Sequence, residues 1–190
     1  MAVSTSAERG REVRRKLVGA AAELIPEVGW SAVSTRMLAE RAGLAAGLVH
    51  YHFPSLQALL ADAATGAMRV AVEELGPILD GASTAAEMID LMLESLDHYS
   101  GKDPTSLLFA ETFLAATRDE QLMALLSQIV EEFRQLLAAR LAGLGVESPG
   151  ETAAVLAAAV DGLVLHRALS PGLTASSIAP VLRRLLPPST

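Results

Sequence analysis

The chain has 190 residues, 51% of them apolar, and no cysteine; this allows one or two packed domains and excludes disulfides, thiolate metal sites and cysteine nucleophiles. No apolar run approaches the roughly 18 residues needed to span a bilayer; the longest, Ala153–Val160, is Ala-rich and bounded by Glu151 and Asp161. The net charge of −7 divides unevenly, with +2 on residues 1–60 and −9 on residues 61–190, so a basic head on an acidic body stays compatible with DNA binding.

Helical spacing begins with Val13, Leu17, Leu24 and Val28, with Ala20 and Ala21 between them. Pro26 is expected to bend or loosen the last turn, and Gly29 to end it. Ser34 precedes a second helix over Thr35–Ala42, carried by Met37, Leu38 and Ala42 and stopped by Gly43. A third, short helix is expected from about Ala45 to His50 or Tyr51. Pro54 breaks the chain, and Ser55 caps a fourth helix through Leu59, Leu60, Ala63 and Met68 to about Leu75.

Thr84 with Glu87 three residues later forms a capping box that opens a helix to about Tyr99. Asp103-Pro104 introduces Leu107–Ala116, and Asp119–Leu144 is a long amphipathic segment ended by Gly143 and Gly145. Ser148-Pro149 with Glu151 opens a helix to about Leu169, which Pro171-Gly172 ends; Thr174 starts the last, which finishes at Pro187-Pro188. With no alternating β-branched run and no hairpin dipeptide, the expectation is nine helices and an all-α fold.

Two short helices joined through Gly43 behind a longer one have helix-turn-helix spacing. Leu38, Ala39, Ala42, Leu44, Leu48, Val49 and Phe53 can bury together, leaving Ala45, Ala46, Gly47, His50 and Tyr51 outside. The residue identities sharpen this. Gly29-Trp30, Ser34, Ala39, Ala42-Gly43, Gly47, Val49-His50-Tyr51-His52-Phe53 and Pro54-Ser55 stand in an order that resembles the N-terminal signature of the TetR/AcrR family of bacterial repressors over about residues 11–65. Beyond residue 66 the likeness rests on length, helicity and Asp161-Gly162-Leu163. The chain departs from the pattern at Met37, Ala45, Ala46, His50 and Leu56; the family often has Ser and Lys at 45 and 46 and Lys at 56, so the resemblance implies that phosphate contacts made by those lysines are lost.

The resemblance implies a helix-turn-helix DNA-binding domain at 1–54 and a helical regulatory, ligand-binding and dimerisation domain at 55–190, with the fourth helix linking the two. It implies a ligand-responsive repressor that binds a palindromic double-stranded DNA operator as a homodimer in the cytoplasm, with no membrane partner and no cofactor. The DNA-binding candidates are Arg14, Arg15, Ser34, Thr35, Arg36, Ala45, Ala46, Gly47, His50, Tyr51 and His52. With so many alanines on the reading face, contact with thymine methyls is favoured over several bidentate pairs. Trp30 is read as a core staple rather than a base-stacking residue.

In the body, Met68, Met88, Met92, His98, Tyr99, Phe109 and Phe113 are candidates for a pocket that takes a small apolar effector, with Glu94, Asp97 and Glu111 as possible polar handles. Dimerisation is assigned to helices at about 149–169 and 175–186, through Ala153, Ala157, Val160, Leu163, Val164, Val181, Leu182 and Leu185. Two rival classes are weaker. His50 and His52 are two apart and share no helix face, so no metal site is expected, and Asp97-His98 has no positioned nucleophile for an enzyme. The alternative kept beside the repressor is a dimeric helical adaptor that no longer binds DNA.

Overall fold

A computed structural model describes residues 6–170, 172–184 and 186, and these contain helices and no strand. The helices are α1 (Ser6–Val28), α2 (Thr35–Ala42), α3 (Gly47–His52), α4 (Leu56–Leu79), α5 (Ala85–Ser95), α6 (Pro104–Ala116), α7 (Glu120–Gly143), α8 (Pro149–Arg167) and α9 (Ala175–Arg183), with a 3-10 turn at Trp30–Ala32. The chain divides into two compact units. One comprises residues 1–67 and 107–123, the other 68–106 and 124–190.

Local chemistry sets most helix starts. Ser34 Oγ accepts the Met37 N–H at 3.3 Å, Ser55 Oγ the Ala58 N–H at 3.0 Å, and Asp119 Oδ1 those of Gln121 and Leu122. Thr84 Oγ1 accepts the Glu87 N–H at 3.1 Å, but the Glu87 carboxylate reaches back to the Ser83 N–H, one residue before the cap. Thr174 and Ser177 close a full capping box on α9.

α1 runs through Pro26 to Val28 and stops before Gly29, as expected. Several other ends differ from expectation. α4 runs through Pro77 to Leu79, beyond the expected Leu75. α5 ends at Ser95, short of Tyr99, and α9 at Arg183. Pro171, Leu185 and Pro187-Pro188 lie outside the described residues.

In the first unit α1 packs on α2 and α3, with Leu17, Ala21, Leu24, Ile25, Leu38 and Val49 buried. Val28, expected on the core stripe, is exposed, and Ile25 takes the inward position. In the second unit Leu79, Met88, Ile89, Met92, Leu93, Leu137, Leu141, Leu156 and Leu182 form the core, and α5 packs on α9. Arg167, 6% exposed, donates to the carbonyls of Leu96, Tyr99 and Leu173 and to Asp97 Oδ1. One guanidinium thus ties the end of α8 to the segments after α5 and before α9.

Candidate nucleic-acid interface

The turn between α2 and α3 is built from backbone requirements. Gly43 takes φ +65° and its N–H bonds back to α2, a left-handed cap that costs a Cβ-bearing residue about 1 kcal/mol or more. The Leu44 N–H also returns to the Ala39 carbonyl at 2.9 Å, which closes the end of α2. α3 begins at Gly47 rather than Ala45, since Ala45 and Ala46 form the turn whose carbonyls receive the Leu48 and Val49 N–H groups.

Val49 and Phe53 point inward and are buried, together with Leu38 and Ala39, while Ala42, Leu44 and Leu48 are half-buried. The opposite side carries Ala45, Ala46, Gly47, His50 and Tyr51, all exposed, with Tyr51 81% exposed. No side chain within the unit would meet a Cβ added at Gly47. His52 is half-buried, stands edge-on to Tyr51 at 5.0 Å and lies under Gly10 of α1. Ser34 spends its hydroxyl on the α2 cap, Thr35 is half-buried beside it, and Arg36 projects exposed without an ion pair to any described residue.

Two basic candidates are engaged within the unit. Arg14 reaches Asp62 of α4 at 2.9 Å, and its guanidinium lies 4.4 Å from the centre of the Phe53 ring. Arg15 pairs with Glu12, and at 78% exposure that pair is weak and readily exchanged. Arg41 is bound to Glu23 and Glu27 of α1, and these hydrogen bonds raise its pKa and lower that of Glu27. Arg41 was absent from the sequence candidates, and its partners lie too far away in the chain for helical spacing to suggest them.

The body candidates are divided between the two units. Met68, Met88, Met92, His98 and Tyr99 belong to the second unit, and Phe109 and Phe113 to the first. Met88 and Met92 are fully buried core residues, Met68 is buried, His98 is exposed with its ring 4.0 Å from that of half-buried Tyr99, Phe109 is half-buried, and Phe113 is exposed. Burial, with Glu74 and Asp103, pushes the Tyr99 hydroxyl up. Of the possible polar handles, Asp97 pairs with Arg167 and Glu111 accepts the Trp30 N–H; Glu94 is exposed.

The first unit thus holds a helix-turn-helix with an exposed second helix, the architecture of a sequence-reading DNA-binding protein. Residues 17–63 match the model described as bacterial regulatory proteins, tetR family, and residues 83–188 match the tetracyclin repressor-like C-terminal domain. The chain therefore belongs to the TetR family, and it is a DNA-binding transcriptional regulator. A putative transcriptional regulator from Streptomyces coelicolor A3(2) is similar at 25% identity over 92% of this chain and 98% of that one, with a TM-score of 0.79. The multidrug binding protein EbrR, solved with imidazole, is 27% identical over 93% and 96% of the two chains, TM-score 0.70. A putative regulator from Saccharomonospora viridis in complex with choline shares the fold at 21% identity over 92% and 95%, TM-score 0.77. No curated protein matched the chain. Among the described residues no helix is long and apolar enough to cross a membrane.

Proposed function

We propose that the chain acts as a cytoplasmic, non-catalytic homodimer that occupies a palindromic operator and leaves it when a small apolar effector binds. The observation that carries the DNA side is the exposed face of α3, where Tyr51 projects from a helix whose other face, at Val49, is sealed in the core. Ala45, Ala46 and Gly47 leave this face low enough to approach thymine methyls, and Tyr51 and His50 supply its polar contacts. Arg36 of α2, with Arg15 and the other exposed cations of α1, adds phosphate attraction. In this reading residues 1–54 bind DNA and 55–190 sense and dimerise, with an effector held within about 66–170. The complexes of EbrR with imidazole and ethidium support a small organic effector for a relative of this fold.

For the dimer, the supporting feature is the outer face of α8. Val155, Ala158, Asp161 and Leu165 recur there at helical spacing with Ala154 and Gly162, and Leu169 follows just beyond the helix. Val155 is 55%, Leu165 59% and Leu169 80% exposed, an apolar stripe that a lone subunit leaves in water. Ala154, Ala158 and Gly162, four apart, let a second helix approach closely, and Val181 of α9 is also exposed. This corrects the earlier assignment. Ala153, Ala157, Val160 and Leu163 face the subunit's own core, because α8 is apolar on two sides and those residues fill the inner one, and Leu182 of α9 is buried in the same core. Selection of bound duplexes from random DNA tests the reading. It is expected to yield a palindrome with half-sites roughly 34–36 Å apart or a related spacing, and recovery of no preferred sequence contradicts it.

A further inference from the structure

Trp30 is held from two sides inside the first unit. Its backbone N–H donates to Glu111 Oε2 of α6 at 2.8 Å, and its indole Nε1–H donates to Gln57 Oε1 of α4 at 2.9 Å. The chain reaches this position because Gly29 takes φ +85°, turning out of α1 directly beside the Glu111 carboxylate. Trp30 is 7% exposed and opens the 3-10 turn, whose first N–H groups have no partner within the turn itself. Val33 and the cap Ser34 close the turn, so only four residues separate the grip of Glu111 from the start of α2. A carboxylate acceptor makes that grip stronger than a neutral one.

We propose that Glu111 is a positioning residue for DNA recognition. By holding the Trp30 N–H it sets the angle at which the 3-10 turn feeds α2, and hence the pose of the exposed α3 face. Gln57 of α4 holds the same tryptophan through its indole N–H. The inference rests on α3 being the helix that reads DNA.

The test uses the full chain with Glu111→Ala, Glu111→Asp and Glu111→Gln, an operator selected from random DNA, and a duplex of unrelated sequence. Trp30 is the only tryptophan, so its emission reports the grip directly. Glu111→Ala should lose about five- to thirtyfold in operator affinity, keep its affinity for the unrelated duplex, and shift Trp30 emission to the red. Glu111→Asp keeps the charge but draws it back by one methylene, and should lose operator affinity in the same sense. Glu111→Gln keeps an acceptor oxygen and should restore most of both readouts. Operator binding equal to wild type in the Ala and Asp variants overturns the proposal. So does a parallel loss for both duplexes that follows a lowered melting temperature, since that marks a purely structural bond. A wild type that prefers no duplex at all fails the reading of α3 itself, and this inference with it.

Discussion

The guanidinium of Arg14 sits 4.4 Å from the centre of the Phe53 ring while its Nη2 lies 2.9 Å from Asp62, so one α1 cation braces both the end of the reading unit and the start of α4. Both charged partners remain partly exposed, which keeps the ion pair weak and gives the contact over the ring about 0.5–1 kcal/mol. Arg14→Ala should therefore lower the melting temperature slightly and change the salt dependence of DNA binding little. Arg36→Ala and Arg15→Ala should each flatten the slope of log affinity against log salt by about one unit, as expected for one lost phosphate contact. Affinities measured across a salt series check this, and equal slopes in all three variants would assign Arg15 and Arg36 to plain solvation.

The two faces of α8 should respond differently to charge. Leu165→Arg or Val155→Arg places a cation on the exposed stripe, and each variant should sediment as a folded monomer. Val160→Arg forces a charge into the core beside Leu156 and Leu163, and should unfold the second unit. Sedimentation and circular dichroism distinguish the outcomes; persistent dimers in both surface variants would place the interface elsewhere.

Two left-handed glycines separate backbone strain from steric exclusion. A Cβ at Gly43 meets open space, so Gly43→Ala should cost about 1–2 kcal/mol, the conformational penalty alone. A Cβ at Gly101 would stand 2.5 Å from the Ala168 N and 2.8 Å from the Val164 carbonyl oxygen. Gly101→Ala should therefore cost more than about 3 kcal/mol in urea denaturation. Equal costs at the two positions would mean that the 100–103 segment does not press on α8.

Asp161 gives a pH signature. Burial of its carboxyl pushes its pKa up to about 6, against the opposing pull of Arg134. The native chain then holds a proton there that the unfolded chain, near 3.8, has already released. Stability from this group is present below about pH 4 and fades as pH rises through about 6. The residue is exposed overall, so the effect should be small. Asp161→Asn should flatten stability across this window relative to wild type in chemical denaturation at several pH values, and identical profiles contradict the assignment.

Features whose cause is local were legible in the sequence. Ser34, Gly43 and Thr174 set their helix ends through atoms a few residues away, and the order from Gly29-Trp30 to Pro54-Ser55 located the reading unit. What sequence could not decide depended on packing. The apolar repeat on α8 has two faces, and only the fold puts Val160 inside and Leu165 outside. Glu111 and Trp30 are 81 positions apart, with no periodicity relating them. Met88 and Met92 were singled out by residue type alone, and their full burial in the core of the second unit is set by packing.

The most direct test of the account is titration of the selected operator with wild type and Tyr51→Ala at one fixed salt concentration. Tyr51 is 81% exposed, so its removal leaves the fold and the dimer intact while stripping the main contact from the reading face. The account predicts that Tyr51→Ala loses about 1–3 kcal/mol of operator affinity and keeps wild-type affinity for unrelated duplex. Wild-type affinity for the operator in Tyr51→Ala would contradict the claim that α3 reads the DNA.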